Sequence, residues 1–329
     1  MKHPLALFYE EPDPNRWFPG DRYPRRLIRR LVHGPRRPGG QEIVFLNLRA
    51  GLDRLGVPYR VNDYRWARHN PNAPVGIIGK PFVLDRLEWR NPILFGASVM
   101  SHPDVDPGLL ARRPIQRILV PGEWMRQMCE PRWGDRVRTW PVGIDTDLWQ
   151  PAEHASPRWD FLLYDKVRWE HDRYERELLG PIRDRLRSAG LSFTEIRYGR
   201  YREEDYRALL PQCRALLFLC EHETQGLAYQ QALSSGVPIL AWNRGGFWQD
   251  PEFYPHRVQF RPVSSVPYWD PRCGEFFTGM DTFSAALARF QDQLAAGAYA
   301  PRDYILDNLT LEKGAQGYLH HWEETFGAT

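Results

Sequence analysis

Along most of this chain, short apolar runs alternate with longer amphipathic stretches, the pattern of parallel strands covered by helices. LALFY (5–9) reads as a first strand, and VPYRVN, VGIIG (75–79), PILFGASVM (92–100) and RILVP (117–121) as further short ones. Between the first two lies a helix whose Ile43, Leu46, Leu52 and Leu55 fall near one face, ended by Gly56. From 141 to 159 the periodicity disappears in PVGIDTDLWQPAEHASPRW, a Pro-, Gly- and Asp-rich stretch that reads as a linker. DFLLYDK (160–166) restarts the alternation, followed by helix 170–189, strand FTEIRYG (193–199) and helix 203–212. Strand ALLFLC (215–220), a helix from about Gln225 to Ser234 and strand VPILAW (237–242) come next, and the chain closes on a helical segment, 309–326. The expectation is an α/β protein of two Rossmann-like domains, residues 1–150 and 151–329.

The stretch CEHETQGLAYQQALSSGVPILAWNRGG (220–246) raises the chemical question, because Glu221 and Glu223 stand where a buried strand stops. Gly236 is placed to end the following helix and Pro238 prevents its continuation. Gly226 in the first turn weakens the helix by about 1 kcal/mol against Ala, so a local reason for it is expected. Free amides at a helix N-terminus suit a phosphate, and a carboxylate beside them suits the electron-poor side of a sugar in an oxocarbenium-like transition state. On local features alone, the plainer reading of Glu221 and Glu223 is as acids that cap the helix.

Composition narrows the classes. With 329 residues there is chain enough for two cores, and 42% hydrophobic with 26% charged residues is ordinary for a globular protein. Aromatics reach 13%, including 13 Trp, which suits stacking on sugar rings as well as aromatic cores. The net charge is +3, but residues 16–37 carry eight arginines and a single acidic residue. That segment permits a peripheral contact with a membrane or another anionic surface, or is a solvated basic face; no nucleic-acid partner is expected, since the balance elsewhere is near neutral. Cys129, Cys213, Cys220 and Cys273 form no CxxC pair and read as free thiols of a cytoplasmic protein. MKHPLALFYEEPDP has too short an apolar run to read as a signal peptide, and no run of eighteen apolar residues occurs. The two D-x-D pairs, Asp104/Asp106 and Asp145/Asp147, read as turn residues, and no zinc-protease, P-loop, dinucleotide or hydrolase-elbow motif is present.

ETQGLAYQQALSSGVP, from Glu223 to Pro238, resembles the E-x7-E signature of retaining GT-B glycosyltransferases of the family 4 type. Glu223, Gly226, Ala232, Gly236, Val237 and Pro238 match its intervals, whereas the second Glu is replaced by Gln231. PVGIDTDLWQP, LVPGEWMRQM (119–128) and PGG (38–40) resemble further segments of the family, so the likeness extends over most of the chain. It implies two domains facing across a cleft, with the terminal helix packing back on the N-terminal domain. It also implies a hexosyltransferase that moves a sugar from a nucleotide-diphosphate sugar to a glycan, lipid or small-molecule acceptor, with retention and without a metal or other cofactor.

Site residues follow from the same resemblance. Glu223 and His102 are the catalytic candidates; His102 also reads as a structural histidine after a strand. Lys166 and Arg168 would meet the donor phosphates, with Thr224, Gln225, Gly226 and Leu227 at the helix start and Gln231 toward the ribose, where it keeps hydrogen-bonding capacity without charge. Tyr198 and Gly199 fall where the family holds the base, and Gly39 and Gly40 form the glycine-rich loop; a core tyrosine and a plain turn are the alternatives. Gln231 and the altered basic loop also raise a second reading, a nucleotide-sugar-binding protein without catalysis.

Overall fold

The computed structural model describes residues 4–12, 17–18, 21, 24–25, 28, 38–97, 102–152, 157–249 and 260–327. The basic segment 16–37 lies almost wholly outside the described residues; Arg25 is within them, 3.4 Å from Asp21. Two compact units are present. The first comprises Met1–Val120, Cys129–Trp140 and Ala315–Thr329, and the second Pro121–Met128 and Pro141–Gly314. The boundary expected at 150 therefore falls inside the second unit, and the chain passes between units after residues 120, 128, 140 and 314.

In the first unit six strands form one sheet: β1 (Leu5–Phe8), β2 (Tyr59–Val61), β3 (Val75–Ile77), β4 (Ile93–Phe95), β5 (Ile115–Val120) and β6 (Val137–Thr139). Their order is β2-β1-β3-β4-β5-β6 and every pair is parallel. The strands are nearly all apolar because both faces are covered, which is why they read as unbroken hydrophobic runs. The helix Gly40–Arg54 buries Val44, Phe45, Leu48 and Leu52, while Leu46 is exposed. The face read from the sequence was turned, since Phe45 stacks on Tyr9 at 4.9 Å and sets the helix's rotation.

The C-terminal helix, Leu311–Phe326, joins this unit from Ala315 onward. Tyr318 is fully buried against Trp140, the His321 ring meets the Thr139 carbonyl at 2.9 Å, and Arg117 pairs with Glu324 at 2.5 Å. Gly76 in β3 explains how Tyr318 fits: a Cβ there would collide with the tyrosine hydroxyl. That hydroxyl is buried without a hydrogen-bond partner among the described residues.

The second unit holds a five-stranded sheet of β7 (Trp159–Lys166), β8 (Phe193–Arg197), β9 (Cys213–Cys220), β10 (Ile239–Trp242) and β11 (Gly274–Phe277). Its order is β11-β10-β9-β7-β8, again parallel throughout. Side chains alternate between two cores. Leu162, Tyr164, Leu216, Phe218 and Ile239 meet Tyr206, Tyr229 and Ile305 from three helices. Phe161, Leu163, Leu217, Leu240 and Trp242 meet Ile182, Leu186, Phe283 and Phe290 from two helices on the other face. Successive connections leave β7 in opposite directions, so the strand order reverses between β7 and β9. Crevices at such switch points, beyond the carboxyl ends of the strands, are where open α/β sheets bind ligands.

Gly76→Ala should melt several degrees lower, since overpacking a filled core costs about 1–3 kcal/mol. Gly76→Ala combined with Tyr318→Phe should recover most of that loss, because the hydroxyl is the colliding atom, and Tyr318→Phe alone should be neutral or stabilising. Thermal denaturation of the three variants checks this.

Candidate functional site

Strands β7 and β9 end side by side at the switch point, with Lys166 opposite Cys220 in the register. The first carboxylate after β9, Glu221, is 2% exposed, and its Oε1 accepts the backbone N–H groups of Arg168 and Trp169, both at 2.9 Å. Glu221 thus fastens the loop that follows β7. Asp165 fastens the same loop from its other side, accepting the Val167 N–H at 3.0 Å and meeting His171 Nε2 at 2.8 Å. Neither Glu221 nor Glu223 caps the helix Leu227–Ser234: its cap is Gly226, with no side-chain bond. The capping alternative is therefore replaced by one of loop construction.

The Glu223 carboxylate forms an ion pair with Lys166, and both side chains are close to fully buried. Its backbone is held from two directions: its N–H donates to the Ser264 carbonyl and its carbonyl accepts the Trp124 indole N–H, each at 2.9 Å. Burial lowers the Lys166 pKa, but the Glu223 carboxylate outweighs it together with smaller contributions, so the ammonium stays charged. Tyr198, half exposed, lies over the Lys166 ammonium at 4.4 Å from the ring centre. Between the two acids, His222 has a pKa lowered to about 3, by burial first and then by the Arg244, Arg168 and Lys166 cations. Its neutral Nε2 accepts the Gln249 N–H at 3.3 Å. Glu221 is shifted upward by burial, against the two N–H bonds it receives.

Gly226 adopts φ +71° and forms the N-cap, so the helix begins at Leu227, two residues later than expected. A Cβ on Gly226 would meet the Tyr229 ring, which cannot retreat: its hydroxyl donates to the Tyr268 carbonyl and accepts the Tyr268 N–H. Gly236 lies beyond the helix end at φ +79°, with the Val237 N–H returning to Ala232 O. Gln225 Oε1 accepts the Val142 N–H at 3.3 Å, and its Nε2 is buried without a partner among the described residues. Gln231 is 8% exposed, whereas Thr224 and Leu227 are partly open. Gly199 follows Tyr198 in a left-handed turn.

The structure thus gathers Glu223, Lys166, Arg168 and Tyr198 at the switch point, followed in the chain by Thr224–Leu227 and Gln231 on the adjoining helix. His102, Gly39 and Gly40 belong to the first unit. His102 caps the short helical turn Pro103–Val105, its Nδ1 accepting the Asp104 N–H at 3.1 Å. A Cβ on Gly39 or Gly40 would meet nothing within 4 Å, so packing does not require glycine at either. The D-x-D residues serve local contacts: Asp145 accepts the Asp147 and Leu148 N–H groups, and Asp104 and Asp106 pair with Arg132 and Arg112.

Sequence reading missed Trp124 and Arg244. Trp124 reaches Glu223 across 99 positions of sequence, so no local pattern announces it. Arg244, two residues beyond the end of β10, carries a visible signal in hindsight: it is a cation in the loop that follows an apolar strand, as Arg168 is after β7.

No protein-family model matches this chain and no curated protein matches it. Solved structures do. Sucrose-phosphate synthase from Thermosynechococcus elongatus superposes with TM-score 0.57 at 14% identity, covering 99% of this chain and 100% of that one. The apo form of the lipopolysaccharide outer core galactosyltransferase WaaB gives TM-score 0.55 at 12% identity over 98% and 99% of the two chains. The catalytic domain of starch synthase IV from Arabidopsis thaliana, bound to ADP and acarbose, gives 0.51 at 11% identity over 89% and 79%. The fold is that of these GT-B glycosyltransferases.

Two predictions follow from this geometry. Gly226→Ala should cost about 2 kcal/mol or more, through both the left-handed backbone and the Tyr229 collision, read as a fall in melting temperature. His222 should also make stability fall in acid. Its folded pKa lies below the ordinary 6.5, so the unfolded chain binds the extra proton between pH 6.5 and about 3. The neutral ring's contribution is complete above 6.5 and falls by about 2 kcal/mol by pH 5. His222→Gln should flatten that slope in melts run from pH 7 to 4.5.

Proposed function

We propose that the chain is a glycosyltransferase that takes a sugar from a nucleotide-diphosphate sugar, with retention of configuration and without a metal. The carrying observation is the Lys166–Glu223 pair at the β7/β9 switch point, beside the exposed Arg168 and the start of the 227–234 helix. The fold shared with a galactosyltransferase, a sucrose-phosphate synthase and a starch synthase supports this reading, as does the starch synthase's complex with ADP.

In this reading the donor diphosphate approaches Lys166, Arg168 and the first-turn amides of the helix, where the dipole favours negative charge. Arg168 has no hydrogen-bond or ion-pair partner for its guanidinium among the described residues, so it meets a phosphate without giving up another contact. As the phosphate draws the Lys166 charge toward itself, the Glu223 carboxylate is released toward the sugar. Its fixed backbone keeps it in place while positive charge develops on the ring. The departing phosphate then takes the acceptor's proton. Tyr198 would lie against the base and Gln231 toward the ribose. The acceptor class is a glycan, a lipid-linked saccharide or a small molecule.

Titration with UDP, GDP, ADP, dTDP and CMP, with and without EDTA, tests the donor class. One diphosphate should raise the melting temperature by several degrees in both conditions, since ligand at a hundred times its dissociation constant adds about 2.7 kcal/mol. No shift with any nucleotide would overturn the reading. Once a donor is found, Glu223→Gln should lower its hydrolysis or transfer rate by about a hundredfold or more with donor affinity nearly kept. An equal rate would remove Glu223 from the chemistry, whereas donor binding without any turnover by the unaltered protein would favour the binding protein without catalysis.

A further inference from the structure

The geometry points to Arg244 as a phosphate-binding arm of the same site, gripping the donor's diphosphate from the β10 side of β9 while Arg168 grips it from the β7 side; this rests on the proposed donor class. The sheet order places β9 between β7 and β10, so the two arginines flank the Glu221–Glu223 turn from neighbouring strands. Arg244 is built in rather than loose. Its guanidinium donates to the Tyr174 hydroxyl and to Gln249 Oε1 at 2.8 Å, and lies over the Trp242 and Tyr174 rings at 5.3 and 5.6 Å. Stacked and hydrogen-bonded to neutral groups, it has spent its conformational freedom on folding and meets a ligand pre-organised.

What it lacks among the described residues is a counter-charge. No carboxylate stands within ion-pair distance of Arg244 among the described residues, and its Nε is buried there without any hydrogen-bond partner. Glu221 feels its field, yet spends its Oε1 on the loop amides. Charge counting then favours an anion. Lys166 and Glu223 cancel and His222 is neutral, so Arg168 and Arg244 bring two positive charges against the single Glu221 carboxylate, and the turn has charge to spare for an anion.

The test uses inorganic pyrophosphate as well as the nucleoside diphosphate that stabilises the protein. Calorimetric titration should show Arg244→Gln weakening pyrophosphate and nucleoside diphosphate by about tenfold, the loss expected for one charge-assisted contact, with less effect on the monophosphate. Arg244→Lys, which keeps the charge and serves as a second variant if Arg244→Gln folds poorly, should recover part of the affinity. Pyrophosphate binding that depends on Arg244 while no nucleotide binds would sustain the anion site and overturn the donor reading. Unchanged pyrophosphate affinity in Arg244→Gln, or no pyrophosphate binding by the unaltered protein, would overturn the inference.

Discussion

Charge at the end of a buried strand is expensive, and the second unit is organised around making it tolerable. Glu221, Glu223, Asp165 and Lys166 are all close to fully buried where β7 and β9 stop. Each has a specified partner: backbone amides for Glu221, Lys166 for Glu223, an amide and a histidine for Asp165. Breaking such a pair by removing one member leaves an uncompensated charge worth several kcal/mol, far more than the pair itself contributes. A fold that holds charges in this state has used stability to keep them there. The parallel topology supplies the place, since the strand order reverses between β7 and β9.

Sequence reading recovered most of the architecture because parallel strands buried on both faces write themselves as apolar runs. LALFY, VGIIG, DFLLYDK and ALLFLC all became strands within a residue or two. It missed β6, whose VRT offers a single apolar residue, and β11, and it placed the first helix's apolar face wrongly, because Phe45 is fixed by Tyr9 rather than by neighbours in the helix. The helix after β7 was read as one piece from 170 to 189; it is three, with a turn of wider pitch over Glu175–Leu179 between two α-helical segments.

Within the candidate site, local signals were legible and distant ones were not. Gly226 announced itself by its cost to the helix, and the structure supplies the reason in φ and in Tyr229. Glu223 was visible as a charge in the wrong place; that its partner would be Lys166, 57 positions away, was not. Glu221 was read as a cap because capping is the local use of such an acid, and its real partners, Arg168 and Trp169, come from another strand's loop.

The chain passes between its two units after residues 120, 128, 140 and 314. The short piece Pro121–Met128, bonded at both ends to the first unit, supplies the indole that holds the Glu223 carbonyl, and Gly122 donates its N–H to the Tyr268 hydroxyl. The last helix begins in the second unit and finishes in the first. No single cut therefore yields two whole domains. Splitting the chain at the apparent linker would strip the second unit of Trp124 and the first of Tyr318, so exchange of domains between proteins of this fold has to respect several junctions at once.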